Sequence, residues 1–557
     1  MGSPVEPPYP FFNLPIGTLQ EGLRSRLSEE ELNEFAFLHA SLSKGSGALS
    51  ANILSDKLTL AALYKILTLE QLPSQGYRRG LLMAMTEDHV YELAALSGGG
   101  PYTTPEAAVD GVLTVAWSDS PVWRRFLALA DLPVALLPKP SEGFADLMTC
   151  TPYDPPLNPL FDYQVGAFQR VFDHVLIPNA RVLLQMPTGS GKTRTAMEVA
   201  CAFLRARLST GGPARVVWVC HVAELCEQAV AQFDQVWKHT GSQPIPILRV
   251  WEQHGVPQRF PSPSFSVVGF QKFVRRLGRY SNTYDADLVV VDEAHVSLAP
   301  RYSAVLDLFQ TTGTRYLGLT ATPGRAQNVS EDTRALARQF GNRLVGLDFG
   351  DLPVITALQE RGVLSVIDRE EVRTELPFPL SEEEWNSVAE EGDYPSAVLQ
   401  RLARDRNRNL VILEKLRLLA HEGLQTLVFG TSVSQSRMLA AMMLSMGVSA
   451  CHIDASTPGD VRRAFVDRFR RKEIQLLMNF GVLTTGFDAP QVDCVFISRP
   501  TTSVVLYSQM IGRGLRGPAV GGTATCRLVD VVDNFLNMPG DIVDVYDYFT
   551  EYWSEEA

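Results

Sequence analysis

The sequence predicts an α/β protein in which two tandem parallel-sheet lobes follow a mostly helical N-terminal domain. Three observations carry that prediction. Short β-rich apolar runs alternate with helical stretches from Leu160 onward, the same rhythm returns after residue 410, and a glycine turn suited to a phosphate follows one of the first runs directly. A chain of 557 residues is too long for one compact core, so several units in series are expected.

The first unit is residues 1–155. It is apolar at helical spacing, as at Leu60, Leu63, Tyr64 and Leu67, and it ends in Pro152, Pro155, Pro156 and Pro159, a run that suits a linker because it cannot continue a helix. The first lobe, residues 156–350, has candidate strands at Arg181–Gln185, Val216–Cys220, Ser266–Val268, Leu288–Val291 and Tyr316–Leu319. Residues 351–409 are read as a connector or insertion, polar and acidic around Glu382, Glu383, Glu384, Glu390 and Glu391. The second lobe, residues 410–557, repeats the pattern at Thr426–Phe429, Ala450–Ile453, Ile474–Met478 and Cys494–Ser498, then ends in an acidic aromatic tail. For that tail a packed terminal helix and a docking peptide are both open readings.

Composition narrows the function classes. Hydrophobic residues make up 45% and charged residues 20%, ordinary for a globular chain. No stretch approaches a membrane span, and Met1 to Pro10 lacks a basic region followed by an apolar one, so a cytoplasmic protein that makes no membrane contact is expected. The seven cysteines are scattered, with no CxxC pair and no histidines at zinc-ligand spacing, which argues against a disulfide framework or a structural zinc. Net charge is −12, but the distribution matters more than the sum. Residues 1–150 hold 17 acids against 10 bases and residues 529–557 hold 8 against none, whereas residues 151–528 hold 37 acids against 40 bases, 35 of them arginine. The middle therefore suits phosphate contacts, and the acidic ends, residues 1–155 and the C-terminal tail, suit protein partners.

Two clusters carry chemistry. In Met186–Thr193 (MPTGSGKT), Gly189 and Gly191 let consecutive N–H groups and a helix N-terminus converge on an anion. Lys192 then reaches the outer phosphates and the Thr193 hydroxyl can hold Mg²⁺. Pro187, Thr188 and Ser190 complete the turn, and Met186 replaces the first glycine of the usual pattern. One hundred residues on, a second apolar run ends in Asp292, Glu293, Ala294 and His295. Carboxylates at the C-terminal end of a strand lie where open α/β sheets bind ligands, so Asp292 can hold Mg²⁺ and Glu293 can take a proton from an attacking water. Alone the four letters are weak; paired with the glycine turn they form two halves of an ATP-hydrolysing site.

With those two clusters in order, and LTATP (Leu319–Pro323) after them, the sequence resembles superfamily 2 helicases of the DEAH type. The similarity is greatest to the branch with type I and type III restriction motors and related DNA-repair helicases. FDYQ (Phe161–Gln164) resembles the entry motif, Val216–Gln228 motif Ia, Val267–Gln271 motif Ib, Leu427–Ser432 motif IV, Asn479–Pro490 motif V and Gln509–Arg516 motif VI. It spans about residues 156–530 and implies two RecA-like lobes with ATP and Mg²⁺ between them. It further implies that Tyr163 and Gln164 face the adenine, that Gly486 and Asp488 sit at the nucleotide across the cleft, that Gln509 meets His295 or the γ-phosphate, and that Thr320 and Thr322 couple the site to the strand. Arg513 and Arg516 are the arginine-finger candidates, because a guanidinium donated from another lobe acts only on closure.

The expected function is ATP-driven movement along nucleic acid, DNA rather than RNA, as a helicase or translocase in restriction, repair or phage defence. An ATP-gated clamp that recruits a partner without unwinding shares every motif and stays open; a small-molecule kinase would need no second lobe. Lys272, Arg275, Arg276 and Arg279 share one helical face and could grip phosphates or simply be solvated. For Arg468, Arg470, Arg471 and Lys472, and for Arg499 and Arg527, a solvated surface is the preferred reading.

Overall fold

In the computed structural model, the described residues are 9–43, 56–99, 101–138, 146–275, 284–298, 300–322, 331–374, 378–391, 393–483 and 492–533. Fourteen strands form two sheets among them. The first sheet holds β1 (Leu147–Cys150), β2 (Arg181–Gln185), β3 (Arg215–Cys220), β4 (Ile245–Val250), β5 (Ser264–Gly269), β6 (Leu288–Val291), β7 (Arg315–Thr320) and β8 (Leu344–Val345), in the order β1-β4-β5-β3-β6-β7-β2-β8. All its pairings are parallel except β1 with β4. The second sheet holds β9 (Val366–Arg373), β10 (Thr426–Phe429), β11 (Ala450–Ile453), β12 (Leu476–Asn479), β13 (Cys494–Ile497) and β14 (Thr525–Val532), all parallel, in the order β11-β12-β10-β13-β14-β9. Near-continuous apolar runs such as Leu288–Val291, buried at every residue, are what a parallel sheet covered on both faces requires.

Two boundaries differ from the sequence reading. Residues 351–409 are not all connector, because β9 pairs with β14 along its whole length and forms the edge of the second sheet. Its sequence, VIDREEVR, is mostly exposed and charged, the way an edge strand avoids further pairing, and so it lacks an apolar run. Likewise residues 1–155 end in β1, which adds to the first sheet beside β4. The strand β4 contains Pro246, which lowers its strand signal.

Among the described residues, the helices before residue 138 pack on the second lobe rather than on the one that follows them in sequence. The Lys57–Thr68 helix buries Leu60, Ala61, Leu63 and Tyr64 in one core with Met438, Leu439, Met442 and Met443 of the Val433–Ser445 helix and with Ile412, Leu413 and Leu416 of the Arg406–His421 helix. The N-terminal domain is thus an extra layer over the second sheet. A salt bridge of Arg468 to Asp131, at 2.5 Å, ties its end to the Gly459–Arg470 helix. The chain then enters the first lobe at β1 and crosses back to the second between Val345 and Val366, so two covalent crossings join the lobes. All seven cysteines are buried and free, as small apolar residues would be. Among the described residues there is no metal-ligating cluster, and no helix is long and apolar enough to cross a membrane.

Candidate functional site

The strand order brings the two chemical clusters together. The strand β7 lies between β2 and β6, so the phosphate turn, the LTAT segment and the DEAH segment leave the sheet side by side at its C-terminal edge. Met186 N donates to Thr320 O at 3.1 Å, tying the first two of these. Gly189 and Gly191 have φ of 87° and 90°, a left-handed conformation that a side chain would strain, and Gly191 precedes the Lys192–Ser209 helix. A Cβ on Gly191 would also collide with the Gln164 amide, which would have to leave its place against the turn. The result is a backbone cradle at a helix N-terminus, which fits a triphosphate.

Around it, Lys192 Nζ is 3.4 Å from Glu293 Oε1. Glu293 itself has φ 52°, ψ 55°, a conformation uncommon for a side-chain-bearing residue and frequent at functional turns. Burial raises the proton affinity of both carboxyls, but the outcomes diverge. Asp292, deeply buried with the Glu293 charge beside it, is held above the ordinary carboxylate range. At Glu293 the neighbours Lys192, His295, His221 and Arg513, led by the Lys192 ammonium, outweigh burial and hold it below that range, as the anion a proton acceptor must be. A buried aspartate that is costly to charge beside a glutamate already charged fits a divalent cation, with Thr193 at the start of the adjoining helix as a second oxygen donor.

His295 links three motifs. Its Nδ1 lies 3.3 Å from Thr320 Oγ1, which donates to Thr322 O at 2.7 Å, and its Nε2 lies 3.5 Å from Gln509 Nε2. Because Thr320 Oγ1 uses its own hydrogen on Thr322, the network is satisfied with the proton on Nδ1 of His295 and Nε2 accepting from Gln509. Motif VI begins in the last turn of the Val504–Ile511 helix and is pressed onto the phosphate turn. A Cβ on Gly512 would lie 2.6 Å from Thr188 Cβ, and one on Gly189 would lie 3.7 Å from Arg516 Cγ. Arg513 is close enough to Glu293 to shift it, and burial lowers Arg513 to about 10, so it stays cationic at neutral pH. Lys192 and Glu293 from one lobe and Gln509, Arg513 and Arg516 from the other thus share one cleft.

The entry motif reaches the phosphate turn. Gln164 Oε1 accepts from Phe161 N at 2.9 Å and its Nε2 donates to Ser190 O at 3.1 Å, while Tyr163 OH donates to the same carbonyl at 3.0 Å. Both side chains brace the phosphate turn. Of the strand-contact candidates, Lys272 donates to Glu252 O at 2.6 Å, Arg275 is exposed, and Arg276 and Arg279 lie outside the described residues. Gly486, Asp488, Pro323 and the C-terminal tail also lie outside them. The three arginines of the second basic cluster are paired with acids: Arg468 with Asp131 and Glu473, Arg470 with Asp467 and Arg471 with Glu473. Arg499 and Arg527 are paired in the same way, with Asp393 and Glu422.

One pair has no sequence signal. Glu224, in the first turn of the Ala223–Thr240 helix, meets Arg462 of the Gly459–Arg470 helix at 2.5 Å, joining the lobes at partners 238 residues apart. Glu224 also contributes to the field at His221, which in turn bears on Glu293. With both side chains partly exposed, the pair is worth on the order of 1 kcal/mol. Arg462→Glu is therefore expected to lower stimulated ATP turnover about fivefold, since 1.4 kcal/mol is tenfold, and the double variant with Glu224→Arg to restore most of it. A double variant no better than the single would show that the pairing itself is unimportant.

The fold and this cleft define a class, a two-lobed P-loop ATPase of the nucleic-acid-dependent kind. Comparison with known families narrows it. Residues 158–325 match the family described as Type III restriction enzyme, res subunit, and residues 408–517 match the Helicase conserved C-terminal domain. The chain is 28% identical over 372 residues to the Saccharomyces cerevisiae protein named as ATP-dependent helicase IRC3, covering 64% of this chain and 49% of that one. It is 23% identical over 469 residues to the Escherichia coli type I restriction enzyme EcoKI endonuclease subunit, covering 75% of this chain and 38% of that one. Among solved structures, a fragment of an HsdR subunit of a type I restriction enzyme from Vibrio vulnificus aligns with a TM-score of 0.49 at 19% identity, over 74% of this chain and 70% of that one. The two matches fall in series on the two lobes, as in a superfamily 2 helicase, and the relatives to which the chain is similar include subunits of restriction enzymes. It spans about half the length of IRC3.

Proposed function

We propose that the chain is an ATP-driven motor that moves along DNA, using the cleft between its two lobes to convert hydrolysis into steps. The observation that carries this reading is the convergence of Lys192 and Glu293 from one lobe with Arg513 from the other. Lys192 and the backbone of residues 187–193 hold the phosphates. Glu293, held anionic, takes a proton from the attacking water, and Arg513 and Arg516 meet the charge that develops on the γ-phosphoryl oxygens. Thr193 and Asp292 would hold Mg²⁺, which when bound neutralises phosphate charge. Gln509 reports closure to His295 and through it to Thr320 and Thr322. Because the arginines act only when the lobes close, turnover is tied to a change in lobe spacing, and each hydrolysis releases the closed state as a step.

The strand is proposed to cross the C-terminal edges of both sheets through phosphate contacts, since a motor cannot depend on base identity. By analogy with its relatives, the chain works beside other subunits in restriction, repair or phage defence. ATP turnover measured with single-stranded DNA, double-stranded DNA and RNA tests the reading. DNA is expected to stimulate most, and a rate unaffected by any nucleic acid would refute the motor.

A further inference from the structure

The N-terminal domain reaches the second lobe through a polar chain as well as through its apolar core. Glu34, on the Glu29–Ser43 helix, accepts from Asn409 Nδ2 at 2.8 Å, and the same nitrogen donates to Ala403 O at 2.7 Å. With both its hydrogens directed at acceptors, Asn409 turns its carbonyl Oδ1 to Gln435 Nε2, at 2.7 Å. Gln435 in turn presents Oε1 to the backbone N–H of Thr431, at 2.8 Å. Asn409, Gln435 and Thr431 are all buried. Each amide can face only one way, held by Glu34 and Ala403 O at one end and by the Thr431 N–H at the other.

Thr431 is in the turn between β10 and the Val433–Ser445 helix, at the C-terminal edge of a central strand. Its hydroxyl donates to Ser498 O at 2.8 Å and accepts from Arg408 at 3.1 Å. Ser498 follows β13 and opens the segment that leads to Gln509 and Arg513. The turn therefore sits between the edge where ligands of such sheets bind and the segment that closes on ATP.

We infer that Glu34 is a positioning residue for nucleic-acid engagement: it fixes, through Asn409 and Gln435, the backbone of the Gly430–Ser432 turn over which the strand passes. The inference rests on the motor reading above. The groups facing Glu34 are Asn409, Arg406, Arg404 and Glu31, and burial raises its carboxyl to about 7 despite the two arginines. An acceptor oxygen rather than a full charge is what Asn409 requires, so glutamine at this position keeps the chain of bonds intact.

The test is ATP turnover by the full chain as a function of single-stranded DNA concentration, for wild type, Glu34→Ala, Glu34→Gln and Gln435→Met. Glu34→Ala and Gln435→Met are expected to raise the half-saturating DNA concentration about tenfold, the effect of one buried hydrogen bond. Glu34→Gln is expected to stay within about twofold of wild type, an energy difference below one such bond. The DNA-free rate of both Glu34 variants should match wild type. Should Glu34→Ala fail to fold, Gln435→Met carries the same test from the far end of the chain of bonds. Wild-type half-saturation in Gln435→Met and in a folded Glu34→Ala overturns the inference. So does a Glu34→Gln as impaired as Glu34→Ala, or an equal fall in the stimulated and DNA-free rates. A wild type that no nucleic acid stimulates removes the motor reading and this inference together, an outcome distinct from the other three.

Discussion

Glu293→Gln is expected to reduce nucleic-acid-stimulated ATP turnover by about a thousandfold while nucleotide still binds, the size of effect a lost general base produces. The substitution keeps the shape of the side chain and removes the anion that Lys192, His295, His221 and Arg513 surround. Lys192 and Arg513 then lack their common partner, so the variant should bind ATP at least as well as wild type and stall before hydrolysis. Lys192→Ala should stop turnover by a different route. It removes the cation from the cradle and leaves Glu293 without its 3.4 Å partner, so both binding and hydrolysis fall. Steady-state turnover beside a nucleotide-binding titration separates the two, and thermal melting checks the fold. Wild-type turnover in either variant would mean that the chemistry happens elsewhere.

Removal of residues 1–138 is expected to yield no soluble, folded protein. The core that joins the Lys57–Thr68 helix to the second lobe includes Leu60, Leu63, Tyr64, Leu439, Met442 and Met443. Taking away one side would expose a continuous apolar face, including side chains now fully covered, on a helix that packs directly on β11 and β12. At about 25 cal/mol per Å² of apolar surface, exposing a few hundred Å² is comparable with the marginal stability of a domain. Size-exclusion chromatography and thermal melting of the shortened chain are the measurements. A monomer that melts like the full protein would show that the N-terminal domain is dispensable to the second lobe.

The same domain shows where sequence reading stops. Helical spacing at Leu60, Leu63, Tyr64 and Leu67 correctly announces a helix with an apolar face. Periodicity says that a face must be covered and is silent about what covers it, and here part of the cover comes from the Arg406–His421 and Val433–Ser445 helices of the second lobe. The cradle and the DEAH segment were legible because each is a contiguous run whose local geometry its own residues impose: glycines for positive φ, a lysine opening a helix, acids closing a strand. The strands β9 and β4 were not, since a charged edge and an internal proline suppress the apolar signal. Nor was the pairing of Glu224 with Arg462, which exists only once two separately folded lobes meet. Gln164 is an intermediate case. Its place beside the site follows from its motif, but the atoms that its amide holds, Phe161 N and Ser190 O, depend on how closely the turn approaches.

The strand β1 is stitched into the first sheet while the helices just before it are built into the second lobe's core. A body attached to its neighbour at a single point can swivel in any direction; attached at two, it can only turn about the line through both. The two lobes should therefore swing like a door on paired hinges, opening and closing along one path rather than many.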